Sequence, residues 1–512
     1  MKFKTLSILT LAACTLLGGL TSCDDGSSSG ETTSSASTST STSSSSTNGE
    51  IRHVTVNFWH TFGHGIEEQM QAFASQFHNI ILENENVDVN IEFTYQGGYD
   101  DIRNKVIKSF PAGSTPTISV AYPDHIADYL RQGENNVVDL TSYMNSSEYG
   151  FDTQDYLGDD VDGHPGTEDF VESFFDEGES YQKDGIYSLA FMKSSEVMFY
   201  NVEVYNAAMS IYKPELTGEA RDNWIQTCSW DELMELCEVI QEHKDDAGTE
   251  LYQYASAVDY PAYYDSDSNL FITEIYQNNI PYSSIGEDGK GVIGFEEAEA
   301  FGKLEGILNE LAGWYNGHLL TTKGVENEYG STAFTSAQTV FSIGSSGGAG
   351  YNIPTTDDFT VGVAMVPYFN DEASRSYISQ GPTLTILRNS SYSDEENNLR
   401  AEYAWKFLKY ITNEENNAIV CINGSEGYVP VRQSSYETAL FNQFMEDGED
   451  YALTADTVIN KINGKYINTP VFPGSAELRD QGGAVITQVL KGTKNAETAL
   501  NDAISATKLH LN

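Results

Sequence analysis

Gly344-Ser345-Ser346-Gly347-Gly348 reads G-x-S-x-G, the spacing that exposes a nucleophilic serine on a sharp strand-to-helix turn in one class of hydrolases. That chemistry needs a histidine later in the chain, and the only histidine beyond Ser346 is His510, at the very end of the sequence. His60 and His64 have the i, i+4 spacing of helix-borne zinc ligands, but Thr61 stands where the zinc-protease pattern has Glu, and no third ligand can be named. Asp265, Asp267 and Asn269 begin like a calcium loop, yet Leu270 occupies the glycine position and Tyr276 the position of the closing glutamate. A glycoside hydrolase would need two carboxylates at a fixed separation, and with 76 acidic residues no pair stands out. No catalytic residue, metal or cofactor is therefore expected. A secreted carbohydrate-active hydrolase remains the alternative.

The residues that do form a pattern are aromatic and hydroxyl-bearing: Trp59, Tyr99, Tyr122, Tyr260, Tyr263, Tyr264 and Tyr428, with Asp124, Ser194, Ser345 and Ser346. Tyrosine and tryptophan offer a flat apolar face and a hydrogen-bonding edge, which suits a sugar ring with its C–H face and hydroxyl rim.

The elements that would position them alternate. Val54 to Trp59 reads as a strand, followed by a helix with Ile66, Met70, Phe73, Phe77 and Ile81 on one face. Val87 to Tyr95 is the next strand, then a helix bearing Ile102, Val106 and Phe110, then a strand from Thr117 to Ala121. Ser188 to Tyr200 is extended, Ser229-Trp230-Asp231-Glu232 is a capping box opening a helix to Gln241, and Leu304, Ile307, Leu308 and Leu311 mark another helix. Thr339 to Ile343, Phe359 to Val366 and Thr383 to Leu387 supply later strands. The order implies an α/β fold with mainly parallel sheets, whose ligand loops sit at the carboxyl ends of the strands.

Lys2 and Lys4, the apolar run Leu6 to Leu20 and Leu20-Thr21-Ser22-Cys23 read as a signal peptide (residues 1–22) ending at a lipidated Cys23. The apolar run is too short to span a bilayer. Gly26 to Glu50 is almost entirely Ser, Thr and Gly, which cannot bury enough surface to fold, so residues 23–50 form a flexible tether reaching on the order of 30 Å. The protein is expected on the outer face of the cell membrane. With 27 basic and 76 acidic residues, a formal charge of -49 excludes nucleic acid as a natural partner. Beyond the signal and anchor, Cys228, Cys237 and Cys421 are too few and too odd for a disulfide framework, and buried free thiols are expected.

Phe58-Trp59-His60, Tyr95-Gln96-Gly97-Gly98-Tyr99, Ala112-Gly113-Ser114-Thr115-Pro116-Thr117-Ile118, Phe191-Met192-Lys193-Ser194-Ser195, Ser345-Ser346-Gly347, Met365-Val366-Pro367-Tyr368 and Gly427-Tyr428-Val429-Pro430 follow one another along nearly the whole body. In that order they resemble the solute-binding lipoproteins of bacterial ABC importers, extracellular family 1, nearest to the glycerol-3-phosphate binder and its sugar-binding relatives. The resemblance implies a two-lobed, periplasmic-binding-protein type II clamshell with the ligand cleft between lobes. Lobe 1 would be 51–189 with 380–430, and lobe 2 would be 190–379 with 431–512. It also implies a monomer that hands a sugar, polyol or glycerol phosphate to a membrane permease. Matched by position, ligand contacts fall on Tyr99, Ser194, Ser345 or Ser346, Gly381 and Tyr428, with an acidic contact at Asp124. No arginine stands between Asn468 and Gly474, where the family meets phosphate, although Arg479 is near, and tyrosines 260, 263 and 264 stand where it has paired tryptophans. A neutral sugar is favoured.

Overall fold

The computed structural model describes residues 51–511 apart from 134, 159–165, 355–358, 370–371, 425–426, 449 and 463. The signal, Cys23 and the tether lie outside the described residues. Along the chain the strands are β1 (Arg52–His60), β2 (Val87–Tyr95), β3 (Ile118–Ala121), β4 (Leu189–Ala190), β5 (Glu196–Asn201), β6 (Ala262–Tyr264) and β7 (Ser283–Ile285). They continue as β8 (Gly291–Ile293), β9 (Leu320–Thr322), β10 (Phe341–Ser345), β11 (Val361–Met365), β12 (Tyr377–Ile378), β13 (Thr383–Ile386) and β14 (Tyr466–Ile467). One sheet has the order β2-β1-β3-β13-β4, a second β11-β5-β10-β6-β9, and β12-β14 and β7-β8 form two small ribbons.

Strand β1 shows how the sequence makes this. Val54, Val56, Phe58 and His60 are buried while Thr55, Asn57 and Trp59, on the other face, are half-buried, the period of two that one covered face imposes. The following helix, His64–Glu85, buries Ile66, Met70, Phe73, Phe77 and Ile81. Phe77 meets Phe407 at 5.2 Å and Phe73 meets Tyr410 at 6.2 Å, both on the Asp394–Ile411 helix. Each such side chain contributes about 1.5–3 kcal/mol by leaving water. The helix stops where Asn86 turns to φ 56, a left-handed conformation that asparagine tolerates.

The sheets are mixed rather than mainly parallel. β1 runs parallel to β2 and β3, and β6 parallel to β9 and β10. β13 is antiparallel to β3 and β4, and β5 antiparallel to β10 and β11. Strands linked through a helix return parallel; β5 and β13 instead arrive on chain that crosses directly from one sheet toward the other. Those crossings are stitched together: Lys193 and Val429 exchange backbone hydrogen bonds of 3.0 and 2.7 Å, and Ser194 and Gln380 exchange two of 2.9 Å. Cys228, Cys237 and Cys421 are buried free thiols.

Candidate ligand-binding site

The chain leaving β2, β3, β6, β9 and β10 at their carboxyl ends opens on one cavity of about 840 Å³, lined there by Tyr99, Tyr122, Asp124, Asp265, Ser266, Lys323 and Ser345. Small-molecule sites fall in the range of roughly 300–1,000 Å³.

On the first-sheet side the wall is aromatic. Gly97, at φ +95, turns the chain after β2, and the Gly98 N–H donates to Asp101 Oδ2 at 3.1 Å, which starts the Tyr99–Ala112 helix with Tyr99 as its first residue. Tyr99 stacks on Tyr122, ring centroids 3.9 Å apart and 12° from parallel. The Arg479 guanidinium lies 5.0 Å from the Tyr122 centroid and 3.1 Å from Asp124 Oδ2. Burial pushes the Tyr99 phenol well above its ordinary range and that of Tyr122 up to about 12, so both are neutral donors. Tyr428 lies over Gly347: a Cβ built there would come within 2.6 Å of its ring.

The floor is made by the crossing segments. Ser345 Oγ donates to Ser194 Oγ at 3.1 Å. Gly381 has φ +112, and a Cβ on it would meet Met192 O at 2.3 Å; Gly427 has φ +135, and a Cβ there would meet Ser346 O at 1.9 Å. Both positions demand glycine on conformation and on space.

On the second-sheet side the wall is acidic. Glu196 is 2% exposed, takes hydrogen bonds from the Tyr264 hydroxyl and, at 3.1 Å, from Asn269 Nδ2, and burial raises it to about 7. Asp265 accepts from the Gly330 N–H and is raised by burial to about 6. Six carboxyl residues line the cavity (Asp100, Asp124, Glu177, Glu196, Asp265, Asp480) against three cations. Of these, Lys193 is paired with Glu177, Arg479 with Asp124, and Lys323 lies 4.6 Å from the Tyr329 ring centre.

A family model described as bacterial extracellular solute-binding protein matches residues 73–448. This chain belongs to that family. Solute binding outside the cytoplasm is therefore its established role. No curated protein matches the sequence. Three solved structures show the same fold at low identity. The GacH receptor of Streptomyces glaucescens, solved unliganded and with acarbose, is 17% identical over 90% of this chain and 99% of its own, with a TM-score of 0.63. The cyclic alpha-maltosyl-1,6-maltose binding protein of Arthrobacter globiformis is 17% identical over 89% and 98%, TM-score 0.61. UgpB from Mycobacterium tuberculosis in complex with glycerophosphocholine is 16% identical over 90% and 98%, TM-score 0.62. These neighbours are two-lobed clamshells, and this solute-binding protein has that fold.

Tyr99, Asp124, Ser194, Ser345, Gly381 and Tyr428 all reach the cavity. Trp59 does not, because the β1 alternation directs it to the face opposite Phe58 and His60. Ser346 is buried behind the floor, its backbone N–H on Ser195 O and its hydroxyl oxygen accepting the Ser195 N–H at 3.3 Å. The tyrosines at β6 also turn away: Tyr260 stacks on Tyr315 and His318, Tyr263 donates to Glu328 O, and the Tyr264 ring lies in the core. The calcium-like Asp267 is consumed by Thr322, Thr487 and the Gly324 N–H, and among the described residues no cluster is fit to hold a metal. His60 is fully buried whereas the His64 side chain is 85% exposed beside Glu68, so the two share no site. Sequence reasoning missed Tyr282, Ser379, Gln380 and Asn468, which also line the cavity; no motif marks them. Among the described residues no helix is long and apolar enough to cross a membrane.

Proposed function

We propose that this solute-binding protein is the receptor of an ABC importer for a neutral sugar or short oligosaccharide. Lipidated at Cys23 and tethered by residues 23–50, it works as a monomer at the outer face of the membrane. Its lobes are 51–189 with 380–430 and 190–379 with 431–512, and the ligand sits between them on Tyr99 and Tyr428, with Asp124, Ser194, Ser345 and Gly381 at its hydroxyl rim. The observation that carries this reading is the cavity of about 840 Å³ in whose lining the Tyr99, Tyr122 and Tyr428 rings come together with hydroxyls, amides and carboxyls. The acarbose, cyclic maltosyl-maltose and glycerophosphocholine ligands of the structural neighbours support a sugar or glycerol-like solute.

Charge favours the neutral sugar. A phosphate would have to displace Asp124 from Arg479 and enter a wall with twice as many carboxyl residues as cations. Arg479 is the cavity side chain that favours a glycerol phosphate, since a guanidinium offers bidentate hydrogen bonds to such an anion. Calorimetry with a sugar panel and glycerol 3-phosphate separates the two. Lobe closure is checked by solution scattering: the radius of gyration shrinks at saturating ligand, and an unchanged profile contradicts the clamshell mechanism. Cys23→Ala releases the protein from the membrane fraction or leaves it unprocessed; a wild-type mature protein that is freely soluble and without lipid overturns the anchor.

A further inference from the structure

We infer that Tyr282, Ser379, Gln380, Asn468 and Asp124, all in the cavity lining, form a hydroxyl-recognition subsite that orients a neutral sugar residue and discriminates against phosphate. Among the described residues sixteen buried side-chain nitrogen and oxygen atoms have no hydrogen-bond partner; five of them are Asp124 Oδ1, the Tyr282 hydroxyl, Ser379 Oγ, Gln380 Nε2 and Asn468 Oδ1. All five residues line the cavity. Folded proteins leave few such atoms unsatisfied, so five of them around one cavity point to a partner that arrives from it.

Each of these side chains is held so that a particular atom is left over. Ser379 follows the β12-β14 ribbon, its N–H bonded to Ile467 O at 3.3 Å, which brings it alongside Asn468. Asn468 Nδ2 donates to Ser173 O at 2.7 Å and so leaves Oδ1 as its spare end. The Gln380 backbone is committed to Ser194 on both sides, so only its side chain is available. Asp124 gives Oδ2 to Arg479 at 3.1 Å, while Oδ1, 3.8 Å from His125 Nε2, accepts nothing. The His125 ring is kept neutral, first by burial and then by Arg479 and Arg103. Tyr282 packs between Tyr276 at 6.2 Å and Phe295 at 6.3 Å, and is 4% exposed.

The spare atoms therefore comprise two acceptors (Asp124 Oδ1, Asn468 Oδ1), one donor (Gln380 Nε2) and two hydroxyls that serve either way. Sugar hydroxyls both donate and accept, so the several hydroxyls of a sugar ring can serve acceptors, donor and hydroxyls alike. A phosphate group brings two negative charges and at most one O–H, and would set its oxygens against Asp124 Oδ1 and Asn468 Oδ1.

The inference rests on the sugar-receptor reading, and its test keeps the two apart. Wild type, Tyr282→Phe, Ser379→Ala and Gln380→Leu are titrated calorimetrically with maltose, maltotriose, α-D-tagatose, glycerophosphocholine and inorganic phosphate, and each ligand-free protein is melted. A sugar binds the wild type, and each variant binds it roughly five- to tenfold more weakly, the loss of one neutral hydrogen bond. The ligand-free melting temperature is unchanged or raised, because no protein partner loses a bond. Wild-type affinity in all three variants overturns the subsite while leaving the sugar reading standing. A fall in melting temperature that accompanies the lost affinity assigns the residues a structural role and also overturns it. Phosphate binding tighter than any sugar overturns the discrimination, and binding of no sugar overturns the receptor reading and the subsite with it.

Discussion

The first-sheet side of the cavity carries the rings of Tyr99, Tyr122 and Tyr428, the first two stacked at 3.9 Å; the second-sheet side carries carboxyls and an amide, Glu196, Asp265 and Asn269. The rings are neutral at any physiological pH, and their faces are indifferent to which hydroxyl of a sugar points where. The carboxyls are directional, and with Glu196 at about 7 and Asp265 at about 6 their charge changes near neutrality. The contrast assigns affinity to one wall and pH response to the other, with the glycine-bearing crossing segments joining them.

Breaking the join has the largest effect. Gly427→Ala places a Cβ 1.9 Å from Ser346 O in a residue at φ +135, and costs about 3 kcal/mol or more of stability, read as a lower denaturant midpoint. A midpoint within error of wild type means that the crossing is not the rigid join described.

The acidic wall is tested next through pH. The Glu196 carboxyl is raised from 4.5 to about 7, so between those values the folded chain keeps a proton that the unfolded chain releases. Stability contributed by this group is complete below pH 4.5 and is lost as pH rises through about 7, by on the order of 2–3 kcal/mol. Glu274, buried with neither oxygen hydrogen-bonded, and Asp265 add slopes of the same sign. Glu196→Gln therefore flattens the profile without abolishing it, in urea denaturation from pH 4 to 8; an unaltered slope contradicts the assignment.

Tyr99→Ala sharpens the aromatic side. It removes one face of the stack on Tyr122 and weakens sugar binding by about 1–3 kcal/mol, the cost of losing a buried aromatic anchor. The smallest effect is a control: Tyr260→Ala, whose ring stacks on Tyr315 and His318 away from the cavity, leaves sugar affinity unchanged by calorimetry. A loss there shows that the second-sheet wall extends further than the lining residues.

Legibility followed sequence distance. The five buried residues of the His64–Glu85 helix, the bounds of β2 and the Ser229/Glu232 capping box could be read from spacing, because local periodicity and end chemistry decide them. Tyr99 and Asp124 were legible too, since both directly follow strand ends. Trp59 stands outside the cavity lining because a strand's last residues still alternate, and Ser346 because the tight turn after β10 buries it while leaving Ser345 and Gly347 at the surface of the cavity. Arg479 reaches Asp124 and Tyr122, and Tyr282 and Asn468 reach the cavity, only through tertiary packing of distant segments, which no local pattern announces. The antiparallel entry of β5 and β13 was hidden for the same reason.

The central claim is that the cavity takes a neutral sugar on its tyrosine wall and not an anion on Arg479. Isothermal titration of the wild-type protein with a panel of sugars and with glycerol 3-phosphate tests it most directly. The account expects saturable binding of at least one sugar and, under the same conditions, weaker or undetectable binding of glycerol 3-phosphate; tight glycerol 3-phosphate binding with no heat from any sugar would contradict it.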